Sequence, residues 1–175
     1  MISNQQYLNW QKRIKESPAF RRFWAFWGIY SVLLLFIISG YLLFIGEWKK
    51  VLLAFLAFVL ARVILSPFIY LFYKKARPYQ VLNFIPVHSW LFSEPTIKPN
   101  SFPSDHAASW ASISLVLGYF FPPFGITLIL FMIINGMARV VLGYHDEKDI
   151  LAGWLAGLVS AWAAVFWLLP LLFTL

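Results

Sequence analysis

Between Phe23 and Ile45 the chain runs 23 positions without a charged residue. At 1.5 Å per residue a helix of that length reaches about 34 Å, enough to cross a hydrocarbon core ~30 Å thick. Val51 to Tyr73 makes a second, predominantly apolar span, Ser104 to Phe121 a third, Phe124 to Gly143 a fourth and Ile150 to Phe173 a fifth. The composition agrees, with 61% hydrophobic and 12% charged residues where a soluble domain carries roughly 25% charged. The expected fold is therefore all-α, a polytopic membrane helix bundle of about five transmembrane helices.

Residues 1–22 differ from the rest. Lys12, Arg13, Lys15, Arg21 and Arg22 alternate with Tyr7, Leu8, Trp10, Ile14 and Phe20, the pattern of an amphipathic helix lying on lipid headgroups. The segment is not expected to be a cleaved signal peptide, because the apolar run that follows is too long and no small-residue cleavage site ends it. Residues 23–175 are expected to form one transmembrane domain. The chain has no cysteine, which removes disulfides and thiolate metal sites. A net charge of +7 in so apolar a chain points to phosphate-bearing lipids and the bilayer rather than to nucleic acid.

Three internal features stand out. Arg62 lies about eleven residues from either end of its run, too deep to reach the surface comfortably, so it needs an internal partner such as Asn135 or a substrate. Pro67 removes a backbone donor and should kink the helix near Val63. Gly153 and Gly157, continued by Ala161, form a G-x-x-x-G seam suited to close helix packing. Between the second and third runs, residues 79–103 hold Pro86, Pro95, Pro99 and Pro103 with Trp90 and Phe92. This stretch is expected to be an interfacial loop or short helices covering a site.

With five spans, the end of the second, the start of the third and the end of the fourth share one membrane face. The polar residues at those places are Arg77-Pro78, Pro103-Ser104-Asp105-His106, and Arg139 through Asp149. At the second, a hydroxyl, a histidine and free N–H groups meet at a helix N-terminus, which favours an anion. At the third, His145 and Asp149 are four apart, so on a helical turn the carboxylate can reach the imidazole and hold one tautomer. That is a base-and-orienter pair of the kind found at nucleophilic sites.

These residues resemble the three motifs of the type 2 phosphatidic acid phosphatase superfamily, K-x6-RP, PSGH and SR-x5-H-x3-D. The second reads Pro103-Ser104-Asp105-His106, with Asp for Gly; flanked by Phe102 and Ala107, this variant resembles the bacterial undecaprenyl-diphosphate phosphatases of the superfamily. The third reads Ala138-Arg139, five residues, His145, three residues, Asp149. In the first, Arg77-Pro78 is present but Tyr70 stands at the lysine position, leaving Lys74 or Lys75 to substitute from a neighbouring turn. The resemblance covers roughly residues 50–165.

The resemblance implies a metal-independent hydrolase acting on a lipid phosphate, without a cofactor, in a bacterial inner membrane. His145 would attack phosphorus to give a phosphohistidine, Asp149 would orient it and His106 would protonate the departing lipid oxygen. Arg77, Arg139, Ser104, Asp105 and Lys74 would make the phosphate-binding set. Isoprenoid diphosphates and glycerolipid phosphates stay open as substrates, with undecaprenyl diphosphate favoured, and transfer to another lipid is a rival to hydrolysis. A metal site of His88, His106, His145 and Asp149 is the second alternative, disfavoured by the crowding arginines; an anion or lipid transporter lined by Arg62 and Asn135 is the third. Eleven basic residues lie on the motif face and two on the other, which by the positive-inside rule puts the site in the cytoplasm, whereas the resemblance implies the outer face. Sidedness and oligomeric state stay open.

Overall fold

A computed structural model of the chain describes residues 2–87 and 100–173. Within them every regular element is helical. In chain order these are α1 (Asn4–Glu16), α2 (Pro18–Tyr30), α3 (Val32–Phe44), α4 (Trp48–Phe72), α5 (Pro78–Val81), α6 (Asp105–Phe120), α7 (Pro122–Val141) and α8 (Glu147–Phe173). By length and composition α4, α7 and α8 can each cross a membrane, and α2 with α3, bent by 51° at Ser31, makes a fourth if the pair is one span.

The expected third span, Ser104 to Phe121, is shorter than the others. α6 has 16 residues, about 24 Å of helix and less than the hydrocarbon thickness. It is the hub of the bundle. Nine of its residues are buried, from Ala107 through Leu117, and it packs chiefly on α8 and α7, then on α4. Small side chains make this possible. A Cβ added at Gly153 would stand 2.5 Å from the Ser104 carbonyl, and one at Gly157 would stand 2.5 Å from the Ala111 Cβ. The G-x-x-x-G seam is thus the face on which α8 meets α6 backbone to backbone.

Pro67 produces a wide turn where a kink was expected. Residues Leu60–Leu65 adopt π-helical geometry just before Ser66-Pro67, and Ser66 donates its hydroxyl to the Ala61 carbonyl at 3.0 Å. The extra residue per turn absorbs the missing donor, and α4 runs on to Phe72. A second wide turn, Phe26–Tyr30, frees backbone carbonyls with a use described below.

The core is layered. Leu53, Ala57, Val116, Leu117, Leu128 and Ala164 are buried together at the end distant from the motifs. Phe36, Phe55, Leu71, Leu155 and Phe166 are exposed around the outside, the apolar surface that lipid would cover.

The amino-terminal segment breaks at Ser17-Pro18, so α1 ends well before residue 22. A capping box between Ser3 and Gln6 starts it. Its buried face of Tyr7, Gln11 and Ile14 is docked on the α7–α8 turn: Gln11 donates to the Val141 carbonyl at 3.1 Å and Tyr7 to the His145 carbonyl at 3.3 Å.

Candidate active site

The turn between α7 and α8 is built around one glycine. Gly143 has φ of +79, and a Cβ there would lie 2.3 Å from the Phe84 ring; both conformation and space demand glycine. The turn delivers Tyr144 and His145 inward, both buried. Asp146 then caps α8, accepting from the Lys148 and Asp149 N–H groups at 3.0 and 3.1 Å.

Residues 73–75 and 100–101 run side by side and close the site from outside. Asn100 donates to the Tyr73 carbonyl at 2.9 Å and accepts from the Lys75 N–H at 3.0 Å, while the Ser101 N–H reaches the Lys75 carbonyl at 2.7 Å. This pairing brings Lys75 and Ser101 onto the same carboxylate. Lys75 Nζ binds Asp149 Oδ1 at 2.6 Å and also the Asp146 carboxylate. The Ser101 hydroxyl donates to Asp149 Oδ2, which also accepts the Asp146 N–H at 3.0 Å. Burial works against the Lys75 ammonium, but the bonds to Asp146 and Asp149 outweigh it and its pKa is raised.

With its oxygens so occupied, Asp149 lies 3.7 Å from His145 Nδ1, beyond hydrogen-bonding range. The expected direct contact is replaced by a relay through Ser101. His145 Nδ1 stands 2.8 Å from the Ser101 carbonyl. A carbonyl can only accept, so Nδ1 carries the proton and Nε2 the lone pair. Nε2 is buried and has no hydrogen-bond partner among the described residues. Burial pushes the imidazole pKa down to about 4; Asp149 opposes this, and Arg139 and Arg77 reinforce it.

The arginines are held from behind. Arg139 is buried, with its guanidinium 4.2 Å over the Tyr144 ring and Nη1 donating to the Gly28 carbonyl at 3.1 Å. That carbonyl is one of those freed by the Phe26–Tyr30 wide turn. The neighbouring Trp27 carbonyl takes Asn135 Nδ2 at 2.7 Å, so Asn135 anchors α2 and is not the partner of Arg62. Arg77 precedes Pro78 at the start of α5, where its N–H reaches the Gln80 side chain at 2.9 Å and its Nη1 the Tyr144 carbonyl at 3.4 Å.

Ser104 caps α6, accepting the Ala107 N–H at 3.4 Å, while its own N–H donates to the Asp149 carbonyl at 3.0 Å. Among the described residues its hydroxyl proton has no acceptor. His106, half-buried on the first turn, feels the charges of Arg139, Arg62 and Arg77 and has His145 beside it. Asp105 accepts from the Tyr70 hydroxyl at 2.6 Å. Lys74 is exposed. Arg62 donates to Ser109 Oγ at 3.4 Å.

Of the residues singled out from the sequence, His145, Asp149, His106, Arg77, Arg139 and Ser104 thus come to one end of the bundle. Lys75, rather than Lys74, joins them through Asp149. His88, Trp90, Phe92, Ser93 and the rest of 88–99, most of the expected covering loop, lie outside the described residues. Ser101, Tyr144 and the Trp27-Gly28 carbonyls are participants that motif spacing does not reveal. Of these, only Ser101 carried a signal, as a hydroxyl two residues before Pro103.

The sequence pattern of the PAP2 superfamily matches residues 50–171. The chain belongs to the PAP2 superfamily. Its members are phosphatases, and the matched region includes every residue of the cluster except the supporting carbonyls from α2. Over 71 residues the chain is 37% identical to the bacitracin transport permease protein BcrC of Bacillus licheniformis, which covers 41% of this chain and 34% of that protein. The match thus spans about a third of that relative's length. No solved structure matches the chain.

Proposed function

We propose that the protein is an integral-membrane lipid phosphate phosphatase working through a phosphohistidine, with an isoprenoid diphosphate such as undecaprenyl diphosphate as its substrate. The observation that carries this reading is the state of His145: Nε2 holds a lone pair, is buried without a hydrogen-bond partner among the described residues, and lies under the charges of Arg139 and Arg77. A neutral, pre-aimed nitrogen beside two fixed cations suits attack on a phosphoryl group, where charge stabilisation is the main thing a protein supplies.

In this reading Nε2 bonds to phosphorus as the P–O bond to the leaving group breaks. His106 gives its proton to the departing oxygen. Water then cleaves the P–N bond, returning a proton to His106 and releasing phosphate. Arg77, Arg139 and Ser104 bind the equatorial oxygens. Asp149 is a positioning residue that acts through Ser101 and is itself neutralised by Lys75. Asp105, a carboxylate satisfied by Tyr70, shapes the start of α6 rather than binding the anion. The site needs no metal, and residues 1–22 serve as an interfacial segment that also braces the turn carrying His145.

The substrate class rests on two supports: the Asp105 variant of the second motif, which resembles undecaprenyl-diphosphate phosphatases, and the partial similarity to a bacterial membrane protein. That protein's name, a transport permease, favours a second reading in which this chain moves an anionic lipid without cleaving it. Phosphate release by the purified full chain from a panel of lipid mono- and diphosphates decides between them. Release that disappears in His145→Ala supports the phosphatase; transport without release, persisting in His145→Ala, supports the permease.

A further inference from the structure

A cleft of about 980 Å³ opens along the side of the bundle between α3, α4 and α6. Its walls are apolar, with Leu35, Phe36, Phe55 and Phe58 among them, and it runs from Trp48 near one end of α4 to Arg62 in the middle. Those fourteen positions along α4 span about 21 Å of helix. The inner end changes character abruptly: Arg62, His106 and Ser109 line it together. His106 is therefore shared. It lines the inner end of the cleft with Arg62 and stands close enough to Arg139, Arg77 and His145 to feel their charges.

Arg62 lacks what an arginine inside a membrane span ordinarily has. Among the described residues its hydrogen-bond partner is the neutral Ser109 hydroxyl, and no carboxylate pairs with it. A guanidinium withdrawn from water without an anion is costly, so such a residue marks the place of an anion that comes and goes. The anion must sit across His106 from the phosphoryl group attacked by His145.

In a lipid monophosphate the position beyond the leaving oxygen is a carbon of the chain. In a lipid diphosphate it is a second phosphoryl group. We propose that Arg62 binds the lipid-attached phosphoryl group of a diphosphate substrate, whose chain lies in the cleft, and that it thereby selects diphosphate over monophosphate. This rests on the phosphatase reading above. Nε2 of His145 bonds to the terminal phosphorus and the bridging P–O bond breaks. Its electron pair and the His106 proton go to the bridging oxygen, which leaves on the lipid monophosphate. The planar donor fork of Arg62 matches two oxygens of that retained group.

The test compares Arg62→Gln and Arg62→Lys with the unmodified full chain in nanodiscs, using a polyprenyl diphosphate and a monophosphate of the same chain length. For Arg62→Gln, kcat/KM on the diphosphate should fall about 10²-fold, the effect of removing one charged donor from a developing anion, while the monophosphate changes less than about threefold. Arg62→Lys keeps charge but not the fork and should recover about tenfold on the diphosphate. An equal fall on both substrates in both variants means that Arg62 merely holds Ser109 and α6 in place, and overturns the proposal; so does an unchanged diphosphate rate. Retained monophosphate turnover reports that the variants are folded. If the unmodified chain releases phosphate from neither substrate, the phosphatase reading itself fails and this proposal with it.

Discussion

The Tyr70 hydroxyl stands 2.6 Å from the Asp105 carboxylate and 3.1 Å from the Pro103 carbonyl. Tyr70 occupies the lysine position of the first superfamily motif, and Asp105 the glycine position of the second. Of the three departures from the motif pattern, the third being Ala138 for a serine, these two touch each other. A hydroxyl has one proton, and the charged, nearer acceptor takes it.

The pair therefore behaves as a unit. Tyr70→Phe strands a half-buried carboxylate, and Asp105→Gly leaves the hydroxyl only the longer, neutral bond to the Pro103 carbonyl; each should lower kcat/KM about tenfold, with the double variant costing little more than one single, a coupling of roughly 1 kcal/mol. Phosphate release by the four proteins of the cycle measures it. Strictly additive losses would mean that the two residues act separately.

Burial sets the charge state of the proposed nucleophile. With its pKa pushed down to about 4, His145 keeps its Nε2 lone pair throughout the neutral range and loses it only as pH falls through that value. The acid limb of the kcat/KM profile should then centre well below the ordinary histidine pKa of about 6.5. The same depression affects stability. The unfolded chain takes up the His145 proton near pH 6.5 and the folded chain only near 4, so acidification through that window favours unfolding. Thermal unfolding across pH 4 to 7 should show this slope, flattened in His145→Gln. An acid limb near 6.5 in both readings would contradict the burial argument.

The fold was readable wherever one local rule decided it. Long apolar runs located α4, α7 and α8, and the G-x-x-x-G spacing located the α6–α8 contact. The central place of α6 was not legible, because a small-residue helix buried inside a bundle has the same hydropathy as one that faces lipid. In the site, motif spacing brought together the histidines and arginines, since parity of crossing forces their loops to one end. What it could not show is mediated by backbone. The carbonyl that fixes His145 belongs to Ser101, and the one that holds Arg139 belongs to Gly28, and a carbonyl leaves no mark on residue type. Lys75 was separable from Lys74 only through the pairing of residues 73–75 with 100–101, a long-range register.

Lys75 and Lys74 now make opposite predictions. Lys75 neutralises Asp149, whose side chain is fully buried, and it is 23% exposed itself. Lys75→Met leaves Asp149 an uncompensated buried charge and should cost about 3 kcal/mol, the low end for breaking a buried pair. Lys74→Met, at an exposed position, should stay within about 0.5 kcal/mol. The raised pKa of Lys75 means that its contribution is complete below the unfolded lysine value near 10.5 and declines only as pH climbs through the higher folded one. The stability gap between the two variants, measured by thermal unfolding in detergent, should therefore be constant from pH 7 to 10.

Two glycines in helices should respond to alanine with opposite signs. At Gly157 an added Cβ meets the Ala111 Cβ at 2.5 Å and the Ala108 carbonyl at 2.7 Å. Backbone cannot swing aside as a long side chain would, so α8 must move off α6 and carry the Asp149 end of the site with it. Overpacking of this kind costs about 1–3 kcal/mol. At Gly40 in α3, nothing lies within 4 Å of an added Cβ, and Gly40→Ala should gain about 0.5–1 kcal/mol by restricting the unfolded chain. Melting temperatures of the two variants give the signs, and phosphate release gives the consequence. Gly157→Ala should lose turnover because α6 and α8 carry His106 and Asp149 on adjacent first turns, whereas Gly40→Ala should keep it. A Gly157→Ala protein as stable and active as the unmodified chain would show that the seam is not what sets the distance between those two helices.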